Sequence, residues 1–237
     1  MKSVLVSKIV STDDIGKANW NSASGKIYTF LNPVSYLDAL KNKELFAQMD
    51  GIYADGYLLV SAIKILYGVN IGRYSFDMTS VAPLLFEYVR NTGKTVYIVA
   101  SKQDQVEKAV AIIKEMYHGI NIVGYRNGYF STGKEQEEEV CHISEVNPDF
   151  LIVGMGAIMQ EKFLLKVKQA GFSGIGFTCG GFIHQTAKNE IDYYPAWVDK
   201  YNLRFLYRMY REPHTSKRYL RAGLLFPVLF LKEKLFD

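Results

Sequence analysis

The sequence predicts an α/β protein: a Rossmann-like, mainly parallel sheet flanked by helices, with a basic helical segment at the C-terminus. Three observations carry this. Short β-rich apolar runs alternate with stretches of helical periodicity from Ile27 to Cys179, the pattern of βαβ units. Runs such as Val96-Tyr97-Ile98-Val99-Ala100 are apolar without alternation, which suits strands buried on both faces. Several runs end in glycine or Asp-Gly, the chemistry of a tight turn from strand into helix.

The 237 residues suit one large domain or a domain with an appendage. Apolar residues at 49% and charged residues at 22% are ordinary for a well-packed soluble protein. A net charge of +4 is too small, spread over the chain, to argue for nucleic acid. Cys141 and Cys179 lack CxxC spacing and read as free thiols in a reducing compartment. The N-terminus has no signal-peptide core or cleavage site. No stretch reaches the roughly 18 apolar residues of a spanning helix. The expected location is cytoplasmic, with membrane contact only from the surface.

In chain order, residues 1–25 read as a short strand-like run followed by a polar turn or helix start at Asp13-Asp14-Ile15-Gly16-Lys17. Ile27–Leu31 is a strand closed by Asn32-Pro33, since a residue before proline is biased away from helix. Val34–Met49 has apolar residues at helical spacing. A strand then ends at Ala54-Asp55-Gly56 and a helix runs to Tyr67. Asp77–Asn91 reads as an amphipathic helix stopped by Gly93, followed by the strand Val96–Ala100 and the helix Gln103–Tyr117. Ile120–Tyr125 is the next strand, and Gly133–Glu139 starts an acidic helix. Asp149–Gly154, the helix Gln160–Ala170 and the strand Ile175–Cys179 complete the pattern. No internal repeat or low-complexity linker interrupts it. Composition changes after about Tyr201, giving a core of residues 1–200 and an appendage of residues 201–237.

Asp55 is the leading candidate for chemistry, because open α/β sheets bind ligands at the carboxyl ends of their strands. The competing reading is that it only caps the following helix, as Asp favours that role. Glycines at strand ends form a set with it: Gly56, Gly154, Gly156, Gly180 and Gly181. The Gly154-Met155-Gly156 turn could present amides to phosphate at a helix N-terminus, or serve only as a tight turn. It lacks the third glycine of the dinucleotide fingerprint, so a nicotinamide-dependent reductase is a minor rival. Gln160-Glu161 point a polar pair toward the same crevice, although Glu161 could instead satisfy first-turn amides. Asn32 offers a donor and an acceptor to a sugar or base, or is simply a turn residue. The four histidines lack ligand-like spacing and no GxSxG is present, so neither a metal site nor a serine triad is expected.

After residue 201, Arg204, Arg208, Arg211, Lys217, Arg218 and Arg221 interleave with Phe205, Leu206, Tyr207, Tyr210 and Tyr219. The apolar run Ala222–Leu231 follows, then Lys232 and Lys234. Too short to span a bilayer, this segment suits anchoring in an anionic interface. Its arginines could also grip a diphosphate, or the whole could be a docked helix with a solvated basic edge. No nucleic-acid recognition module accompanies the charge.

Taken in order, these motifs resemble the WecG/TagA/CpsF glycosyltransferases (family 26) over about Ile27 to Tyr219. The resemblance rests on Phe30-Leu31-Asn32-Pro33, Ala54-Asp55-Gly56 and Asn127-Gly128-Tyr129-Phe130. It continues through Gly154–Glu161, Gly180-Gly181-Phe182, Pro195-Ala196-Trp197, Leu203–Arg208, Glu212-Pro213 and Arg218-Tyr219. It implies a Rossmann-related fold of the GT-E type whose basic C-terminal appendage contacts the membrane. It implies an inverting hexosyltransferase that moves a sugar from a UDP-sugar to a polyprenyl-diphosphate-linked saccharide, without cofactor or obligatory metal. Such an enzyme would build bacterial surface polysaccharide (capsule, exopolysaccharide or teichoic acid linkage) as a peripheral protein on the inner face of the cell membrane. Homo-oligomerisation is compatible with it.

Carried to this chain, the resemblance makes Asp55 the general base. Gln160 and Glu161 line the donor site, and Arg208 and Arg221 meet a diphosphate; Asn32, Gly154, Gly156, Gly180, Gly181 and Arg218 belong to the same substrate-binding set. The family threonine falls on Phe30, and the neighbouring Thr29, kept as a substrate-binding candidate, faces the other way along the strand. Other departures are Ile158 for a proline, Ile183 for an acid, Tyr193 for an arginine and Ala100-Ser101 for a glycine pair. They leave a second function class, a catalytically inactive nucleotide-sugar-binding or scaffold relative.

Overall fold

The structure, a computed structural model, describes residues 3–12, 15, 20, 25–188, 198, 203–211 and 213–236. Its frame is a six-stranded parallel sheet: β1 (Ile27–Leu31), β2 (Gly51–Ala54), β3 (Thr95–Ala100), β4 (Asn121–Arg126), β5 (Phe150–Gly154) and β6 (Ile175–Thr178). The strand order is β2-β1-β6-β5-β3-β4. Every neighbouring pair is parallel.

Helices cover both faces, which is why β5 and β6 are buried on every residue. One face carries α5 (Val81–Thr92), α6 (Gln103–Met116) and α9 (Phe182–Ala187), packed on Val96, Ile98, Ile152 and Phe177. The other carries α1 (Val4–Ser11), α2 (Pro33–Leu40), α3 (Lys43–Ala47), α4 (Tyr57–Tyr67), α7 (Gly133–Val146) and α8 (Met159–Gln169). These pack on Leu31, Val99, Leu151 and Val153. Two C-terminal helices follow, α10 (Arg204–Arg211) and α11 (Ser216–Phe236), joined by a 3-10 turn at Pro213–Thr215.

The α/β class is as the sequence predicts, with three local corrections. The strand-like run at the N-terminus is instead helix α1: the Ser3 side chain accepts from Val6 N and caps it, and Leu5, Val6 and Ile9 bury one face. The expected helix over Val34–Met49 is two helices, α2 and α3, broken at Lys41-Asn42. The expected helix from Asp77 begins only at Val81, because Asp77 uses its carboxylate on Thr79 in a preceding turn. The turn at Asp13–Lys17 (save Ile15), the Pro195-Ala196-Trp197 motif, Glu212 and the boundary expected near residue 200 lie outside the described residues.

Helix α11 packs across α2 and α4. Ala222, Phe226, Phe230 and Glu233, spaced at helical intervals, form its buried face. Tyr36 of α2 meets Phe226 and Phe230 edge-on at 5.5 and 5.3 Å. Pro227 is accommodated within the helix on its exposed side. Among the described residues no helix is long and apolar enough to cross a membrane.

Candidate active site

The helices following β1 and β5 lie on one face, and those following β6 and β3 on the other. A crevice therefore opens above the carboxyl ends of these strands. It holds a cavity of about 1660 Å³, walled by the strand-end turns, the loop 73–77, α10 and the start of α11. With five strand spacings of about 4.8 Å, the sheet beneath is roughly 24 Å wide, from Asp55 after β2 to Gly128-Tyr129 after β4.

Asp55 lies at the cavity wall. Its amide extends the ladder to Leu31 O at 2.8 Å, so the backbone is held by the sheet. The N-cap of α4 is Gly56, not Asp55, and no side chain bonds into this cap. The capping alternative is thereby removed. Gly56 takes φ +100°, a conformation that strains any side chain; the glycine is what lets β2 turn into α4 behind the carboxylate. Burial raises the Asp55 carboxyl above the usual carboxylate range, and the charge of Asp77 adds to it, while Arg73, Arg204 and Arg208 oppose both. A carboxyl so placed suits general-base work near neutral pH.

Asn32 lines the cavity as the N-cap of α2, its Oδ1 accepting from Val34 and Ser35 amides at 3.0 and 3.1 Å. Its carbonyl oxygen is thus committed to the helix, and the amide nitrogen is what it can offer a ligand. Phe30 also lines the cavity and stacks on Tyr53 at 5.3 Å. Where the resemblance expects a hydroxyl, this chain has an aromatic floor.

Thr29 faces the opposite side of β1 and is fully buried. Its hydroxyl lies 2.7 Å from Glu161 Oε1 and 2.8 Å from Thr178 Oγ1. Glu161 is also buried; its Oε2 accepts the Ile158 amide at 2.6 Å, and its Oε1 accepts from Gln160 Nε2 at 3.0 Å. Burial raises the Glu161 carboxyl even though the Gln160, Thr29 and Ile158 donors work against it. Thr29 and Glu161 therefore sit beneath the cavity floor and are not among the residues that line it. Gln160 does line it, and its Oε1 accepts the Gly180 amide at 3.1 Å. The chain Thr29–Glu161–Gln160–Gly180 fixes the turn after β6 to the start of α8.

Gly154, Gly156, Gly180 and Gly181 all line the cavity. A Cβ on Gly154 would stand 2.7 Å from Cys179 Sγ and 2.9 Å from Gly180 O, so this glycine lets two strand ends close together. Ile158 has φ +73°, unusual for a β-branched residue; proline, which the resemblance puts there, cannot adopt it.

Arg208 and Arg218 line the cavity, whereas Arg221 is exposed outside its wall. An Arg208 nitrogen lies 3.4 Å from the Cβ position of Gly181. Among the charged residues lining the cavity, Arg73 and Asp77 are ones that the sequence does not assign to the site, and Arg204 enters the sequence reading only as one of the C-terminal arginines that could grip a diphosphate. Arg204 Nη1 meets Asp77 Oδ2 at 2.9 Å. Burial would raise Asp77, but Arg204, with bonds from Thr79 and Ser75, holds it below the usual range. The only sequence signal is Ser75-Phe76-Asp77-Met78-Thr79, which reads as a helix start and equally as an Asp-anchored turn.

A parallel α/β frame with arginines gathered around a carboxyl at the strand carboxyl ends makes a crevice suited to an anionic ligand. The chain belongs to the glycosyl transferase WecG/TagA/CpsF family, which it matches over residues 9–237. A Shigella boydii protein named UDP-Gal:alpha-D-GlcNAc-diphosphoundecaprenol beta-1,4-galactosyltransferase is 34% identical over 96% of this chain and 94% of its own length. The Bacillus subtilis N-acetylglucosaminyldiphosphoundecaprenol N-acetyl-beta-D-mannosaminyltransferase is 22% identical over 83% of this chain and 75% of its own. The chain is a glycosyltransferase of the hexosyltransferase type.

Proposed function

We propose that the chain transfers a hexose, with inversion, from a UDP-sugar to a polyprenyl-diphosphate-linked saccharide during assembly of a bacterial surface polysaccharide. The observation that carries the reading is Asp55: a carboxylate not used as a cap, raised by its surroundings and set in a large cavity among Arg73, Arg204 and Arg208. In the reaction the acceptor hydroxyl attacks the anomeric carbon from the side opposite the UDP group. A new carbon–oxygen bond forms, the bond to the diphosphate breaks, and UDP leaves with its electron pair. The acceptor's proton passes to Asp55. Arg73, Arg208 and Arg218 stabilise the departing diphosphate, and Asn32, Gln160 and the glycine turns at 154–156 and 180–181 position the donor. Both relatives are named for β-linkages to lipid-diphosphate acceptors, which supports the same acceptor class here.

The appendage, residues 201–237, serves as the contact with the membrane that carries the acceptor. Leu220, Leu224, Val228, Leu231 and Leu235 are exposed along α11 opposite its buried face. Arg218, Arg221 and Lys232 are exposed on the same helix. An apolar stripe with basic neighbours suits a helix lying in an anionic interface. It leads into the cavity, whose wall includes Leu220 and Leu224.

The test is thermal stabilisation of purified protein by UDP, a panel of UDP-sugars including UDP-galactose, GDP-sugars and NAD(P)H, followed by transfer to a lipid-diphosphate N-acetylglucosamine acceptor. A ligand of the native state raises the melting temperature. A shift with UDP or one UDP-sugar, with transfer from it, is expected. Binding without turnover on any acceptor would instead identify an inactive relative, and a shift with NAD(P)H alone would overturn the proposal.

A further inference from the structure

Helix α10 buries none of its own residues, yet it forms one wall of the cavity. Its residues are half-buried or exposed, and a polar clasp ties the helix to the body of the protein. Arg204 opens the helix and reaches the loop before α5. Its Nη1 meets Asp77 Oδ2 at 2.9 Å and Ser75 Oγ at 3.5 Å, and its Nη2 lies 2.5 Å from Thr79 Oγ1.

The receiving loop is itself braced. Ser75 Oγ donates to Asp77 Oδ2 at 2.7 Å, and the amide and hydroxyl of Thr79 donate to Oδ1 at 2.9 and 2.6 Å. Both carboxylate oxygens are thus engaged, and the ion pair is mostly shielded, with side chains 15% and 18% exposed. The loop is tied back to the sheet by Tyr74 N–H on Ala54 O at 3.0 Å, one residue before Asp55. Arg208 stands one turn after Arg204, on the same side of α10.

The geometry points to Arg204, held by Asp77, as a positioning residue for this reaction: the clasp sets α10 so that Arg208 stands over the Gly180-Gly181 turn, and it neutralises Asp77 beside the Asp55 base. The assignment rests on the transferase reading for its consequence, not for its geometry. Four charged groups face Asp55: Asp77 and Arg73 from the loop, and Arg204 and Arg208 from α10. Removing Arg204 deletes a cation and leaves the Asp77 charge uncompensated. Both changes disfavour the Asp55 carboxylate, so its titration moves to higher pH.

The experiment compares wild type with Arg204→Gln and Arg204→Lys by two readouts. One is carbon NMR titration of labelled Asp carboxyls, with the Asp55 signal assigned by its loss in Asp55→Asn. The other is the pH profile of kcat/KM. Arg204→Gln is expected to move the Asp55 titration and the acid limb of the profile to higher pH. On the acid side kcat/KM should fall roughly tenfold or more, the scale on which one nearby opposite charge acts. Arg204→Lys, which keeps the charge, should recover a large part of both. Adding Arg208→Gln to Arg204→Gln should lose less than the product of the single losses.

A lowered melting temperature with unmoved titration and profile would make the clasp merely structural and overturn the assignment. A moved titration in a protein whose wild type transfers no sugar would leave the clasp standing and overturn the transferase reading instead.

Discussion

Tyr36 donates a 2.6 Å hydrogen bond to Glu233, joining α2, which follows directly from β1, to the last turns of α11. Glu233 is 5% exposed, and its other oxygen lies 3.3 Å from Lys43 Nζ. Burial, and then the Glu233 charge, raise the Tyr36 phenol far above its usual range, so it serves as a donor throughout. Tyr36→Phe keeps the ring packing against Phe226 and Phe230 but leaves a buried carboxylate short of a partner. It should lower stability by about 1–3 kcal/mol, read by urea unfolding. A loss below about 0.5 kcal/mol would show that Lys43 alone satisfies Glu233.

The loop before α8 carries a second test. Ile158 combines φ +73° with an amide given to Glu161 at 2.6 Å. Proline can supply neither the angle nor the N–H. Ile158→Pro should therefore cost about 3 kcal/mol or more in unfolding free energy, although it restores the residue that the family pattern favours. A proline variant as stable as wild type would mean that the loop readily takes another path.

The outer stripe of α11 is tested by vesicles. Leu224→Glu with Val228→Glu replaces two side chains exposed at 76% and 63% without touching the buried face. Sedimentation with vesicles containing anionic lipid should show binding weakened on the order of tenfold or more. The reason is that apolar area kept out of the lipid forfeits about 25 cal/mol per Å². Undiminished binding would remove α11 as the anchor.

Much of this is legible in the sequence because it depends on local physics. Asn32-Pro33 and Asp55-Gly56 mark strand ends by backbone chemistry alone, and strand alternation places Thr29 opposite Phe30. What the alternation does not give is the partner: Thr29 meets Glu161, 132 positions away in the chain, and both lie below the floor. Asp77 and Arg204 are 127 positions apart, each ordinary in its own segment. The N-terminal helix escapes the sequence for a different reason. Val4-Leu5-Val6 is too short an apolar run to distinguish strand from helix, and the Ser3 cap decides it.

The carboxylate proposed as the general base should oppose stability. Because the Asp55 carboxyl is raised on folding, the native state holds its proton more tightly than the unfolded chain. That contribution is fully present below the unfolded pKa and is lost as pH rises through the raised, folded value. Asp55→Asn removes this penalty, so the variant should melt higher than wild type near neutral pH. The advantage should vanish well below the carboxylate range. Equal melting temperatures across that span would contradict the burial of a charged Asp55.

The central claim is that Asp55 takes the acceptor's proton. The most direct measurement is the transfer rate of Asp55→Asn, from the UDP-sugar that stabilises wild type to a lipid-diphosphate N-acetylglucosamine acceptor, with UDP binding followed in parallel. Loss of a general base predicts a fall in kcat of about 100-fold or more, with folding and UDP binding retained. A variant that folds, binds UDP and transfers within about threefold of wild type would contradict the claim, because so small a change lies far below a general base's contribution.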